Sequence, residues 1–194
     1  MNRTETTKFL TEILINDKLT DRKYYAKEVT LGYGTIHPRR IDVMQFIPKG
    51  VTYASDIEKG IFICYEIKSC KDDVYSGNGL NFYGEKNYIV TTMNTYKALQ
   101  EDLRNGKLWS HIYDCNPESS SYFGFLVPVP SRIDLRKTDE LHAEFENPTP
   151  LEGPAYDWKL WQAVICRDGH RVHSSTELLF CMLRSKHSYT NSEF

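Results

Sequence analysis

The most informative stretch of the sequence is Gly60-Ile61-Phe62-Ile63-Cys64-Tyr65-Glu66-Ile67-Lys68. A nearly continuous apolar run of this length predicts a β-strand that is buried on both faces of a sheet. Glu66 and Lys68 end the run two residues apart, so their side chains project from the same face of the strand. Burying a carboxylate and an ammonium group without partners is unfavourable. These two residues therefore either pair with other charges or form part of a functional site.

A second predicted strand, Arg39-Arg40-Ile41-Asp42-Val43-Met44-Gln45-Phe46, precedes the first and alternates between polar and apolar residues. If the two strands are neighbours, Asp42 and Glu66 can converge on one divalent cation with Lys68 beside it. Mg²⁺ is commonly held by one or two carboxylates, with water and substrate phosphate completing its shell. The pattern therefore predicts a Mg²⁺ site suited to phosphodiester hydrolysis.

The remaining patterns predict an α/β fold, with a central mixed sheet flanked by helices. A first helix is expected over residues 4–17, with Thr4 or Thr6 as its N-cap. The other predicted elements are an extended segment at 27–36, a strand at 87–92, a helix at 94–104 and a strand at 122–129. The stretch Ser174-Ser175-Thr176-Glu177 has a capping-box pattern and predicts the start of a terminal helix.

The chain is predicted to form a core domain, residues 1–130, and a C-terminal extension, residues 131–194, that packs on the same domain. Within the extension, residues 131–157 are polar and contain prolines, so we expect an irregular surface connection before the terminal helix. Ser76-Gly77-Asn78-Gly79 is predicted to be a turn, although such a stretch can also contact a phosphate backbone.

The composition restricts the classes of function. The chain has 194 residues, a formal net charge of −2 and a sequence pI near 6.3, which counts against a protein that coats nucleic acid through a broad basic surface. A local basic rim, for example at Arg39 and Arg40, remains compatible with these values. No apolar run is long enough for a membrane helix and the N-terminus is polar, so we expect a cytoplasmic protein without membrane contact.

Two quoted segments, Arg39-Arg40-Ile41-Asp42 and Tyr65-Glu66-Ile67-Lys68-Ser69, resemble the PD-(D/E)XK superfamily of restriction-endonuclease-like nucleases. The core of that superfamily runs helix, three strands, helix, strand. The segments are similar to a compact branch linked to DNA repair and to phage-borne or mobile-element proteins. The stretch Gly84-Glu85-Lys86-Asn87-Tyr88-Ile89-Val90 is similar to the strand that follows the catalytic lysine in such proteins. The resemblance covers roughly residues 5–130, and Ile41 stands where the family name has proline.

The resemblance implies a DNA endonuclease that uses Mg²⁺, with Mn²⁺ as a substitute. Asp42 and Glu66 would be metal ligands and Lys68 the catalytic lysine. Many members add a glutamate from the first helix, for which Glu12 is the nearest match and Glu28 a rival. Arg39 and Arg40 are expected to bind the DNA substrate.

Several alternatives stay open. Asp42 could pair with Arg39 or Arg40, and Glu66 with Lys68, as structural salt bridges. The chain could instead be a catalytically silent member of the same fold that binds DNA or a protein of a phage or mobile element. A homodimer or a separate protein partner is compatible with the sequence, with residues 131–157 and the terminal helix as a docking surface.

Overall fold

The computed structural model describes residues 1–20 and 24–186. The helices are α1 (Arg3–Leu14), α2 (Ser55–Glu58), α3 (Lys71–Val74), α4 (Met93–Arg104), α5 (Lys107–Cys115), α6 (Thr138–Glu146) and α7 (Ser175–Lys186). The strands are β1 (Tyr24–Leu31), β2 (Arg39–Ile47), β3 (Ile61–Lys68), β4 (Lys86–Thr91), β5 (Gly124–Pro130) and β6 (Trp158–Val164). A π-helical stretch, Ile15–Leu19, follows α1, and a 3-10 turn, Ala155–Asp157, precedes β6.

The strands form one mixed sheet of six strands in sequential order, β1-β2-β3-β4-β5-β6. Neighbours among the first three strands are antiparallel, β3, β4 and β5 are parallel, and β6 is antiparallel to β5. The chain therefore has the predicted α/β class, an open mixed sheet flanked by helices.

Strand β3 lies inside this sheet and is buried on both faces, as its apolar run predicts. On one face Tyr65 and Ile67 pack in a cluster with Leu10 and Ile13 of α1. On the other face Phe62 and Cys64 pack in a cluster that includes residues of α7. Helices α4 and α5 cover the same second face further along the sheet, over β4 and β5. This packing makes β3 a rigid support for the two charged residues at its end.

The N-terminal helix begins earlier than predicted. Its N-cap is Asn2, whose side-chain oxygen accepts a 2.9 Å hydrogen bond from the Glu5 backbone N–H. The Glu5 carboxylate in turn accepts a bond from the Asn2 N–H, which completes a capping box. The prediction of Thr4 or Thr6 as the cap was wrong, because asparagine followed three residues later by glutamate supplies both bonds of the box.

The C-terminal third is more regular than predicted. Residues 138–146 form α6, and β6 hydrogen-bonds to β5 at the edge of the sheet. The expectation of an irregular connection was therefore wrong for the residues of α6. Helix α6 is hard to detect because only Leu141 and Glu144 of its residues are buried. Strand β6 has an alternating pattern in which Trp158 and Leu160 are buried.

In the two described ranges, no helix combines the length and apolar character that a bilayer crossing requires.

Candidate active site

Asp42 and Glu66 occupy matching positions on neighbouring antiparallel strands. Phe46 of β2 stands opposite Phe62 of β3, and their ring centroids are 4.8 Å apart. The last pair of the ladder is Val43 and Tyr65, so Asp42 and Glu66 are the next residues of the two strands. Strict alternation of side chains does not continue to this level of β2, because Ile41 packs in the same cluster as Met44 and Phe46. The nearby charge of Asp42 helps to raise the pKa of Glu66, which places the two carboxylates close together.

The carboxylate of Asp42 is attached to the backbone of β3. Its Oδ2 atom accepts a 2.7 Å hydrogen bond from the N–H of Ile67, the residue between Glu66 and Lys68. Burial raises the pKa of Asp42 above its ordinary value, while the Ile67 N–H and the charge of Lys68 act in the opposite direction. Asp42 therefore carries a carboxylate whose charge is only partly compensated by its surroundings.

Glu66 is fully buried. Its Oε1 atom accepts a 3.2 Å hydrogen bond from the N–H of Asn81, whereas Oε2 has no hydrogen-bond partner among the described residues. Burial raises the pKa of Glu66 to about 8, with the nearby charge of Asp42 acting in the same direction. An unpaired carboxylate oxygen in a buried position requires a proton or a cation to neutralise it.

Lys68 lies on the same face two residues after Glu66 and is also buried. Its Nζ atom donates a 2.7 Å hydrogen bond to the carbonyl oxygen of Asn78. Among the described residues no ion pair joins Lys68 to Glu66, so the mutual salt bridge that the sequence allowed is not formed. The lysine amine is held instead by the chain segment that passes over the end of β3.

That segment, the glycine loop, comprises residues 76–81. Gly79 has a φ of +79°, and a Cβ atom placed there would lie 2.5 Å from Glu66 Oε2 and 2.8 Å from Lys68 Nζ. Only glycine can approach both charged groups this closely in this backbone conformation. The predicted turn therefore also packs directly against the side chains of Glu66 and Lys68.

A cleft of about 650 Å³ opens beside the glycine loop. Among the residues that line it are Arg3, Arg39, Arg40, Asp42, Lys68 and Asp73. Glu66 does not line the cleft, because the glycine loop separates its side chain from it. The site therefore has two acidic groups at the cleft surface, Asp42 and Asp73, and a third, Glu66, beneath the loop.

Asp73, in α3, is a site residue that the sequence reasoning missed. Its Oδ2 atom accepts hydrogen bonds of 3.1 Å and 3.2 Å from the N–H and hydroxyl of Ser69, and its Oδ1 pairs with Arg3 of α1. The negative charge of Asp73 contributes to the raised pKa of Asp42. Its position five residues after Lys68, in a polar stretch of the sequence, offered only a weak signal.

The two glutamates considered as a further ligand lie elsewhere. Glu12 is exposed and does not line the cleft. It follows Arg3, which does line the cleft, by nine residues, and this spacing of about two and a half turns places it on the opposite side of α1. The carboxylate of Glu28 is also exposed and lies 3.6 Å from the guanidinium of Arg40. The structure therefore does not bring either glutamate together with Asp42 and Glu66.

The two arginines lie at the cleft but do not pair with Asp42. Arg40 pairs with Glu28, and Arg39 donates a 3.3 Å hydrogen bond to the carbonyl oxygen of Cys115 at the end of α5. Both side chains line the cleft, so their charges are available to an anionic ligand there.

The carboxylates of the site suit Mg²⁺ better than a metal whose ligands are all supplied by protein side chains. No group of three or more His, Cys, Asp or Glu side chains that could hold a metal ion occurs in the part of the chain that the structure describes. Asp42 and Glu66 provide two adjacent carboxylates, one with an unpaired oxygen. Mg²⁺ is commonly bound by one or two carboxylates together with water and phosphate oxygens. The positive charge of such an ion would favour the ionised form of both carboxylates. It would therefore counteract the burial that raises the pKa values of Asp42 and Glu66.

The comparisons with known proteins give no match: neither a family model, nor a curated protein, nor a solved structure is similar to this chain.

Proposed function

We propose that this chain is a Mg²⁺-dependent DNA endonuclease of the restriction-endonuclease-like class, acting in the cytoplasm. The observation that carries the proposal is the 2.7 Å hydrogen bond from the Ile67 N–H to Asp42 Oδ2, which holds the Asp42 carboxylate beside the residues that carry Glu66 and Lys68. Lys68 lines the adjacent cleft. Two carboxylates and an amine at the ends of neighbouring strands supply the groups that hydrolysis of a phosphodiester requires.

In this proposal Asp42 and Glu66 hold the ion, which supplies charge neutralisation at the phosphate and acidifies a bound water when it is present. The Ile67 N–H fixes the Asp42 carboxylate, and the Asn81 N–H fixes one oxygen of Glu66, leaving Oε2 free. The amine of Lys68 positions the attacking water, helps to remove its proton and stabilises the negative charge that develops on the phosphate.

The cleft supports DNA as the substrate. Arg39 and Arg40 on β2 and Arg3 on α1 place guanidinium groups around Asp42 and Lys68. Guanidinium groups bind phosphate oxygens through paired hydrogen bonds. A positive rim around an acidic centre accommodates the backbone of a nucleic acid although the whole chain has a net charge of −2.

A nuclease assay tests the proposal. Purified protein is expected to cut plasmid, linear duplex or branched DNA with Mg²⁺ or Mn²⁺, and Lys68→Met is expected to abolish cutting. Lys59→Met is a matched control, because Lys59 is an exposed lysine just before the opposite end of β3. Wild-type protein that leaves single-stranded, duplex and branched DNA intact with both ions contradicts the proposal.

A catalytically silent protein of the same fold is the second candidate. The complete burial of Glu66 and the bond from Lys68 to Asn78 favour it, because both groups are engaged by the glycine loop. Calorimetry separates the two candidates. The enzyme is expected to bind Mn²⁺ at a site that Asp42→Asn removes, whereas a silent protein that only binds DNA or another protein takes up no ion there.

A further inference from the structure

A buried amide network lies behind Glu66. Asn81, at the end of the glycine loop, uses all of its side-chain polar atoms and its backbone N–H. The N–H donates to Glu66 Oε1, Nδ2 donates 2.8 Å to the carbonyl oxygen of Arg40, and Oδ1 accepts a 3.0 Å bond from Asn116 Nδ2. Asn116 also donates 2.8 Å to the hydroxyl of Tyr83. Both asparagines are buried, so these bonds are shielded from competition with water.

The network joins the two strands that carry the acidic residues. Arg40 stands two residues before Asp42 on β2, and Glu66 belongs to β3. At Asp42 and Glu66 the β2–β3 ladder has ended, so no backbone hydrogen bond of the ladder fixes the strands at this level. Asn81 spans this gap with one bond to each strand.

Asn116 anchors the side chain of Asn81. An amide side chain can be turned over, exchanging its donor and acceptor. The Arg40 carbonyl can only accept, so it fixes Asn81 Nδ2 on its side and leaves Asn81 Oδ1 to accept the bond from Asn116. Asn116 is itself fixed at the C-terminal end of α5, where its N–H bonds to the Ile112 carbonyl oxygen. Helix α5 was not among the predicted elements, so this contribution to the site could not be expected from the sequence pattern.

We infer that Asn116 is a positioning residue for the metal-binding carboxylate of Glu66, acting through Asn81. This inference rests on the proposed function. Partners that hydrogen-bond to a ligating carboxylate typically change metal affinity about 10–100-fold when they are removed. Asn116 does not touch the carboxylate, and Asn81 bonds to Glu66 through its backbone N–H, so the effect is transmitted by how firmly the anchored Asn81 side chain holds that backbone in place.

The test compares Asn116→Leu with Asn87→Leu. Asn87 is an equally buried asparagine with three side-chain hydrogen bonds, to Gly84 and Tyr122, and its side chain bonds to neither Asn81 nor Glu66. Two quantities are measured under the same conditions: the Mn²⁺ affinity by calorimetry and the exchange rate of the Asn81 amide proton by NMR. Asn116→Ser, a smaller change, provides the same comparison if the leucine variant does not fold.

Asn116→Leu is expected to weaken Mn²⁺ binding about tenfold and to speed Asn81 exchange. Asn87→Leu is expected to lower stability while leaving both quantities near wild type. In a Glu66→Gln background, Asn116→Leu should change Mn²⁺ affinity no further. An unchanged Mn²⁺ affinity in Asn116→Leu overturns the inference while the proposed function stands. Wild-type protein that binds no Mn²⁺ overturns both.

Discussion

The Asp42 carboxylate accepts a hydrogen bond of 2.7 Å from the backbone N–H of Ile67. This bond crosses from β2 to β3 at the point where the regular ladder between the strands has ended. It ties the acidic residue of one strand to the residue that separates Glu66 from Lys68. The relative position of the three candidate catalytic groups therefore depends on this bond as well as on the sheet.

Asp42→Asn is expected to stabilise the protein when no divalent ion is present. Burial raises the pKa of Asp42, so its ionised form is less favourable in the folded than in the unfolded state. Asparagine retains an oxygen that can accept the Ile67 N–H bond but carries no charge. We therefore expect the variant to have a higher Tm than the wild type near neutral pH, measured by thermal unfolding in the absence of divalent ions.

Added Mn²⁺ should reverse this order of stability. The ion is expected to raise the Tm of the wild type and to leave that of Asp42→Asn unchanged. Asp56→Asn is a matched control, since Asp56 Oδ2 also accepts backbone bonds, of 3.2 Å and 3.1 Å, but lies away from the cleft. A Mn²⁺-dependent Tm shift that persists in Asp42→Asn contradicts the assignment of this residue as a ligand.

The stability of the metal-free protein is expected to fall as the pH rises from about 5 to about 8. The pKa of Glu66 is about 8 in the folded protein and near 4.5 ordinarily, so between these values the folded state holds a proton that the unfolded state has released. Such a group contributes stability that is complete below the lower pKa and is lost as the pH approaches the upper one. The slope from this group alone reaches about 1.4 kcal/mol per pH unit.

Urea unfolding at several pH values measures this slope. Glu66→Gln is expected to remove most of it, because the amide does not titrate. Glu12→Gln, the same substitution at an exposed position of α1, is the control and should leave the slope unchanged. A wild-type stability that rises through this pH range contradicts the prediction.

The part of the site on β2 and β3 was accessible to sequence reasoning. Strand β3 has the predicted bounds because its apolar run is continuous and Gly60 and Lys68 end it abruptly. Once β3 is recognised, an alternating strand with an internal aspartate is its natural antiparallel neighbour. The register is less evident from the sequence, because residues 43–46 are all buried and β2 lacks a single polar face.

The site residues that other segments contribute could not be predicted from the sequence in the same way. Asp73 and Asn81 reach the site from the connection between β3 and β4, whose polar composition predicts a loop but not its path. Asn116 reaches it from the end of α5. Its bond to Asn81 joins residues that are 35 positions apart, and no local pattern encodes such a contact. Glu12 shows the opposite problem. Its residue type suits a metal ligand and it lies on the predicted first helix, but it is on the side of α1 opposite Arg3, which lines the cleft.

Arg40→Ala is expected to weaken DNA binding by a similar factor for every DNA sequence. Arg40 lines the cleft and lies 3.6 Å from Glu28. If the proposed function holds, we expect Arg40 to contact a phosphate, and such a contact carries no base information. Loss of one phosphate contact should reduce the slope of log affinity against log salt by about 1. Fluorescence anisotropy with Ca²⁺ in place of Mg²⁺ measures binding without cutting.

Arg136→Ala provides the control for this measurement. Arg136 also pairs with a nearby carboxylate, Asp134 at 3.1 Å, but it is highly exposed and does not line the cleft. Its removal should leave the affinity and the salt slope close to those of the wild type. Equal losses in both variants would show that the total charge of the chain, and not the position of Arg40, determines binding.

The glycine loop offers two substitutions that differ only in what the new methyl group meets. Gly77 and Gly79 both have positive φ, +75° and +79°, so alanine at either position adopts a left-handed conformation that costs roughly 1–2 kcal/mol. At Gly77 the new Cβ meets nothing within 4 Å, whereas at Gly79 it lies 2.5 Å from Glu66 Oε2 and 2.8 Å from Lys68 Nζ. Urea unfolding should therefore show a further loss of about 1–3 kcal/mol in Gly79→Ala, the usual range for overpacking.

The same two variants distinguish the contact that the glycine loop makes with Glu66 and Lys68 from the conformation of the loop as a turn. Gly77→Ala should retain DNA cleavage, because the backbone beside Glu66 and Lys68 is undisturbed. Gly79→Ala should lose cleavage at least about tenfold even at a temperature where both variants are fully folded, since the methyl group displaces the two charged groups whose spacing the reaction needs. Equal stabilities and equal rates for the two variants would mean that the loop does not approach Glu66 and Lys68 closely. In that case the burial of Glu66, and with it the raised pKa, would require another cause.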